Sequence, residues 1–178
     1  MSFPVTTERQ FGFVIAYLIP GFLALNGIGL ISPTVSNWLA ISSCDPTLGG
    51  FLYSILASLL AGLFCSTVRW LLVDSLHYRM GIKPEKWQME QLAKNYEAFE
   101  IIVAYHYRYY QFYGNMLVAI PTSLGFYLLT FQGEREAFFV GFVGLFLEFI
   151  FFLGSKDSFK KYVDRSNELL EAKMKIIY

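Results

Sequence analysis

The stretch FLYSILASLLAGLFCSTVRWLLV, from Phe51 to Val73, decides the fold. Its only charge is Arg69, near one end, where a long side chain can reach out of an apolar layer while its stem stays inside. A helix needs ~20 apolar residues to cross a hydrocarbon layer of ~30 Å, so the run reads as a membrane-spanning helix. Small residues recur four apart along it: Ser54, Ser58, Gly62 and Ser66, with Ala57, Ala61 and Cys65 beside them. Apolar burial drives little association inside lipid, and small residues let helix backbones approach closely. Two adjacent rows imply two close neighbours. The span is therefore expected at the centre of the protomer or between protomers, with Ser58 and Gly62 at the contact.

Three more apolar runs lie on either side. The first extends from Phe11 to Ile31 and carries no charge, but Pro20, Gly21, Asn26, Gly27 and Gly29 are expected to weaken or kink its second half. It is longer than a signal peptide's apolar region of roughly 7 to 15 residues and is read as a retained span. The third and fourth runs, Tyr113 to Phe131 and Ala137 to Gly154, are joined by the short polar turn Gln132 to Glu136, which makes them antiparallel neighbours. Composition agrees: 55% of the 178 residues are apolar and 19% aromatic, more than a soluble domain usually carries. The predicted fold is all-α, a four-span transmembrane helical bundle with helices 2, 3 and 4 extending into the cytoplasm.

Basic residues orient it, because short loops rich in Lys and Arg stay cytoplasmic. Ser32 to Gly50 contains none, and the turn before the fourth span has only Arg135. Arg69, Arg79, Lys83, Lys86, Lys94 and Arg108 flank the connection between spans two and three, and Lys156, Lys160, Lys161, Arg165, Lys173 and Lys175 fill the tail. Both termini are thus expected in the cytoplasm of a multi-pass cell-membrane protein, the inner membrane in a two-membrane cell. Trp38 and Trp70 fall near opposite boundaries, as amphipathic aromatics commonly do.

The cytoplasmic parts have helical patterning of their own. Span two continues through Leu76 and Tyr78 to a stop at Gly81, and Pro84 signals the next helix. Leu92, Tyr96, Phe99, Val103, His106, Tyr110, Tyr113 and Leu117 then keep one helix face running into the third span. The stripe Phe159, Tyr162, Val163, Ser166, Leu169, Leu170, Lys173, Ile176 and Ile177 makes the tail amphipathic. Residues 1–154 are therefore assigned to the bundle, including a cytoplasmic helical hairpin at about residues 75–112, and residues 155–178 to a C-terminal helix. That helix either braces the hairpin from Glu85 to Arg108 or, through Leu169 and Leu170, docks another subunit or a soluble protein.

Ionisable groups within an apolar layer are expensive, roughly 2.5 to 3.5 kcal/mol each on insertion scales, and point to function. Glu148, inside the fourth run, is the clearest case, with Arg69 at a comparable depth. The two are expected either to pair, Arg108 being the other candidate cation, or to line a path for ions. Asp74, His77, His106, Arg108 and the tyrosines 105, 107, 109, 110 and 113 gather by topology at the same boundary. Arg108, His106, Arg79 and His77 are the candidates for binding a lipid headgroup or a nucleotide-derived ligand, although Tyr, Arg and His also anchor helices at headgroup level. Asp74, His77 and His106 make a thin metal set in a chain of two histidines, and no metal or other cofactor is expected. No His-Glu-x-x-His, Gly-x-Ser-x-Gly or Walker pattern occurs, and Cys65 has no neighbouring base, so no catalytic activity is expected.

Lys plus Arg and Asp plus Glu number 14 each, a balance that gives no reason to expect a nucleic-acid partner. The lipid bilayer is the expected solvent. Four spans hardly enclose a pore alone, so the leading expectation is a homo-oligomer forming an ion-conducting or membrane-permeabilising assembly, gated by its cytoplasmic helices. The alternative is a non-conducting scaffold that recruits a soluble cytoplasmic partner.

Overall fold

A computed structural model describes residues 12–39, 48–85, 87, 89–131 and 133–171. Most of the described residues are helical and none of them forms a strand. The helices are α1 (Val14–Gly29), α2 (Pro33–Leu39), α3 (Gly49–Arg79), α4 (Met89–Lys94), α5 (Tyr96–Thr130) and α6 (Glu134–Glu171). Three helices, α3, α5 and α6, are long and apolar enough to cross a membrane, whereas α1 is a shorter apolar helix. At ~1.5 Å per residue α1 reaches roughly 24 Å. Phe11, Lys86, Gln132, Lys173, Lys175, Ile176 and Ile177, which entered the expectations above, lie outside the described residues.

α1 survives its proline because the backbone changes register just before it. Val14–Leu18 forms a wider π-type turn, and Pro20 sits at the start of the α-helical part that follows. Proline has no N–H to give the carbonyl four residues back, here Ala16, and Asn115 Nδ2 donates to that oxygen at 2.7 Å. The expected weakness is thus answered by a side chain from α5.

α1 beds into α3 and α5 through glycine. A Cβ on Gly21 would stand 1.8 Å from the Ser58 carbonyl oxygen, and one on Gly62 would stand 2.0 Å from that of Tyr17. On the other side, a Cβ on Gly27 would come within 2.5 Å of Ser123 Cα. The small row of α3 is therefore used inside the protomer, against α1, and Ser58 and Gly62 are covered rather than free to meet a second copy. Nor does α3 hold the centre. That place belongs to α5, which touches α1, α3 and α6. The rows predicted close approach correctly but could not say which helix has the most neighbours.

α5 and α6 run antiparallel: Leu124 closes over Gly144, Tyr113 over Gly154, and Phe112 meets Phe151 edge-on with ring centroids 5.8 Å apart. α6 spans 38 residues without interruption, roughly 57 Å at ~1.5 Å per residue. The expected boundary between residues 154 and 155 is consequently no break, because Tyr113 packs against Gly154 and supports the helix there.

The stop after α3 is a Schellman turn. Gly81 takes φ 87°, its N–H donates to the Tyr78 carbonyl, and the Ile82 N–H donates to the His77 carbonyl. Helix resumes at Met89, not at Pro84, and Asn95 interrupts it before Tyr96, its side-chain amide donating to the Gln91 carbonyl. Ile82 and Trp87 fold back onto a core of Tyr110, Phe159, Tyr162 and Val163, joined by Phe99, Ile102, Val103 and Tyr107. The tail stripe thus braces the hairpin: Leu170 is buried, Leu169 half-buried, and Trp87 Nε1 donates to Asn167 Oδ1 at 2.9 Å.

Candidate functional site

The polar groups converge where α3, α5 and α6 meet. Trp70–Asp74 is a second π-type turn. Residues five apart on an α-helix sit ~140° apart, but the wider turn brings them toward one face. Arg69 Nη1 accordingly donates to Asp74 Oδ1 at 2.9 Å. The Tyr110 hydroxyl donates to the same carboxylate oxygen, and the Arg69 guanidinium lies over the Tyr110 ring, 4.9 Å from its centroid. Arg69 reaches this position past Gly114, where a Cβ would stand 2.5 Å from its Cδ. Such a pair is tolerated when buried only because both charges have partners.

His77 lies one turn beyond and is 0% exposed. Its Nδ1 sits 2.7 Å from the Val73 carbonyl oxygen and therefore carries the ring hydrogen, leaving Nε2 as the acceptor of the neutral ring. The rings of Tyr110, Phe152 and Phe159 surround it. On the α1 side, Gln111 Nε2 donates to the Tyr17 hydroxyl at 2.9 Å and Arg108 Nη1 donates to Gln111 Oε1 at 2.9 Å. Arg108 also lies above the Phe13 ring, 6.0 Å from its centroid.

Three sequence expectations need correction here. Arg69 and Glu148 do not pair, because Asp74 holds Arg69, and Arg108 is turned to Gln111. No hydrogen bond or ion pair reaches Glu148 among the described residues, and its Oε1 is buried. His77 is sealed and offers nothing to a headgroup, while Arg79 stays exposed at the end of α3. His106 turns away from His77 toward the tail, where Arg165 Nη1 donates to its Nε2 at 2.7 Å. Partial burial, the Arg165 guanidinium and Lys161 hold the His106 pKa below its ordinary value, with Asp157 opposing them. Among the described residues no group of three His, Cys, Asp or Glu side chains could hold a metal ion.

Sequence reading did not assign Tyr17, Gln111, Asn115 or Ser155 to the site. The available signal was local: Pro20 in an apolar helix leaves a carbonyl in need of a donor, and Gln111 and Asn115 are amides four apart in an apolar stretch.

Fold and site define an all-helical protein, three of whose helices are of membrane-crossing length, with a buried polar junction at one end. Comparison with family models, curated proteins and solved structures finds no match to this chain.

Proposed function

We propose that the chain is a four-span integral membrane protein with both termini cytoplasmic, and that copies of it assemble into an ion-conducting or permeabilising complex gated by the cytoplasmic helices. α1 serves as the fourth span in this reading, its short apolar length extended by the residues flanking it. The outer sides of α3 and α6 support insertion: Phe51, Leu56, Leu60, Phe64, Phe142, Leu145, Phe146 and Phe149 are all exposed. Exposed apolar side chains in such number along two helices mark a membrane or protein contact surface.

The observation that carries the reading is Glu148. It is a carboxyl group within an apolar helix run, and among the described residues no cation or donor meets its buried Oε1. Arg69, the natural counter-charge, belongs to Asp74. A ring of such groups contributed by several protomers would attract cations into a path. Gating through the long α6 is favoured over recruitment of a soluble partner, because the tail's apolar stripe is already covered by the hairpin.

The test is cation flux in liposomes together with the mass of the complex in nanodiscs. Glu148→Gln should insert and fold as the parent does and lose cation flux at least tenfold. Unchanged flux, or a strictly monomeric particle, would sink the reading.

A further inference from the structure

Among the described residues seven buried side-chain atoms have no protein hydrogen-bond partner, and three of them belong to residues at one corner of the junction: Arg69 Nε, His77 Nε2 and Ser155 Oγ. Their residues are 4%, 0% and 0% exposed. We propose that this corner, between α3, α5 and α6, is a binding site for one internal water molecule held by those three atoms.

Geometry brings them together. Ser155 lies on the inner face of α6 between Phe152, three residues before it, and Phe159, four after it. Both phenylalanine rings rest on the His77 ring, at centroid distances of 6.0 and 5.7 Å. From the other direction, the position a Cβ would take on Gly114 is 2.5 Å from Arg69 Cδ and 3.7 Å from Ser155 Oγ. Arg69 and Ser155 thus lie beside the same glycine, the Arg69 stem taking the space that a side chain at residue 114 would need. One bridging molecule can reach both.

The three atoms also have the right hydrogen-bonding roles. Arg69 Nε–H is a donor and has no acceptor. His77 Nε2 is an acceptor, because Nδ1 already gives its hydrogen to Val73. The Ser155 hydroxyl does either. A water accepts from Arg69, donates to His77 and exchanges a hydrogen bond with Ser155, making the ~3 bonds usual for a buried water. Leaving the three groups bare would forfeit the hydrogen bonds each makes to water in the unfolded chain.

Charge selects a neutral occupant. Asp74 already balances Arg69, so an anion would add an unpaired negative charge to a buried site, and a cation would face the guanidinium. Through the water, the Arg69, Asp74 and Tyr110 network is hydrogen-bonded to α6, which otherwise meets it through aromatic rings. The proposal concerns a single protomer and stands whether or not the assembly conducts.

The experiment uses full-length protein in nanodiscs with 15N-labelled histidine rings. With two histidines in the chain, His77 and His106 give separate signals, and His106 bound to Arg165 reports that the fold is intact. The parent should show His77 Nε2 at the position of a hydrogen-bonded acceptor, with a magnetisation-transfer peak from water to the ring. Ser155→Ala should keep that peak in weakened form. Ser155→Val, whose two methyls replace the hydroxyl and crowd its surroundings, should abolish it and move Nε2 to the free-acceptor position.

Two results would overturn the proposal. One is a free-acceptor Nε2 in the parent protein. The other is a bonded Nε2 with no water peak that becomes free in Ser155→Ala, since the serine would then bond His77 directly. If Ser155→Val fails to fold, the parent and the alanine variant still decide.

Discussion

The region around Gly21, Gly27 and Gly62 joins α1, α3 and α5, the region around Asp74, Tyr110 and Tyr162 joins α3, α5 and α6, and different chemistry holds each. In the first, backbones touch: side chains are absent at the crossing points, and neighbouring helices approach until a single methyl would collide with a carbonyl oxygen. The second is built from large rings and charges, with Tyr110 stacked on Phe159 at a centroid distance of 4.4 Å and Trp87 edge-on to Phe99 and Tyr162. The difference follows from the solvent each region is proposed to have. Lipid gives apolar side chains no reason to leave it, so close backbone packing must supply the attraction. Water drives the burial of rings, and a mixed polar core can form only where every charge finds a partner.

The largest expected effect breaks the charged half. Asp74→Ala leaves the Arg69 guanidinium buried beside Tyr110 and Gly114, and should lower unfolding stability by about 3–5 kcal/mol. The double variant Arg69→Met with Asp74→Leu should recover most of that loss. A double variant as unstable as the single one would show that the pair contributes through more than charge balance. Chemical unfolding in mixed micelles, followed by helical circular dichroism, measures both.

The next effect breaks the glycine half. Gly21→Ala places a methyl against the Ser58 carbonyl, where neither backbone can yield without moving α1 away from α3. The expected loss is about 1–3 kcal/mol. Gly125→Ala, at a position where an added Cβ meets nothing within 4 Å, should change little. Helix propensity alone would make both substitutions mildly stabilising, so a gain at Gly21 equal to that at Gly125 would show that the crossing does not govern this half. A smaller effect is expected at the hairpin. Trp87→Phe keeps the aromatic packing and removes the hydrogen bond to Asn167, and should lower stability by about 1 kcal/mol and speed hydrogen exchange in residues 82–85 and 162–170.

The two halves also differ in how far the sequence discloses them. Long apolar runs, the Gly81 stop and the tail stripe are repeats or single-residue signals, and each leaves a mark that period or residue type reveals. The small row on α3 likewise announced a close crossing. Its partner could not be read, because Ser58 and Gly62 carry no feature that distinguishes α1 from a second protomer. The site was less legible still. Arg69 meets Asp74 through a π-type turn, a departure from the 3.6-residue period on which pattern reading depends, so Glu148 looked like the natural counter-charge. At residues 154 and 155 composition changes from apolar to charged while the backbone continues unbroken, in keeping with the expected extension of the fourth helix beyond its apolar run.

The smallest expected effect links the hairpin to the tail through a proton. His106 Nε2 accepts from Arg165, an arrangement possible only for the neutral ring, and Lys161 and Asp157 are the other charged groups facing it from α6. The folded-state pKa is held below the ordinary 6.5, so the unfolded chain takes up its proton first as the medium is acidified. The stabilising contribution of His106 is therefore complete above pH 6.5 and declines below it, until the medium passes the folded-state value and the loss is full. His106→Gln offers an amide oxygen to Arg165 and does not titrate near neutrality. Hydrogen exchange across residues 158–170, followed from about pH 8 to about pH 5 and corrected for intrinsic rates, should accelerate at the acid end in the parent protein and stay flat in the glutamine variant. Because His106 is only half-buried, the shift should be small beside that of Asp74→Ala. An equal acid response in both proteins would assign the effect to another group and leave the Arg165 contact without influence on how the tail is held.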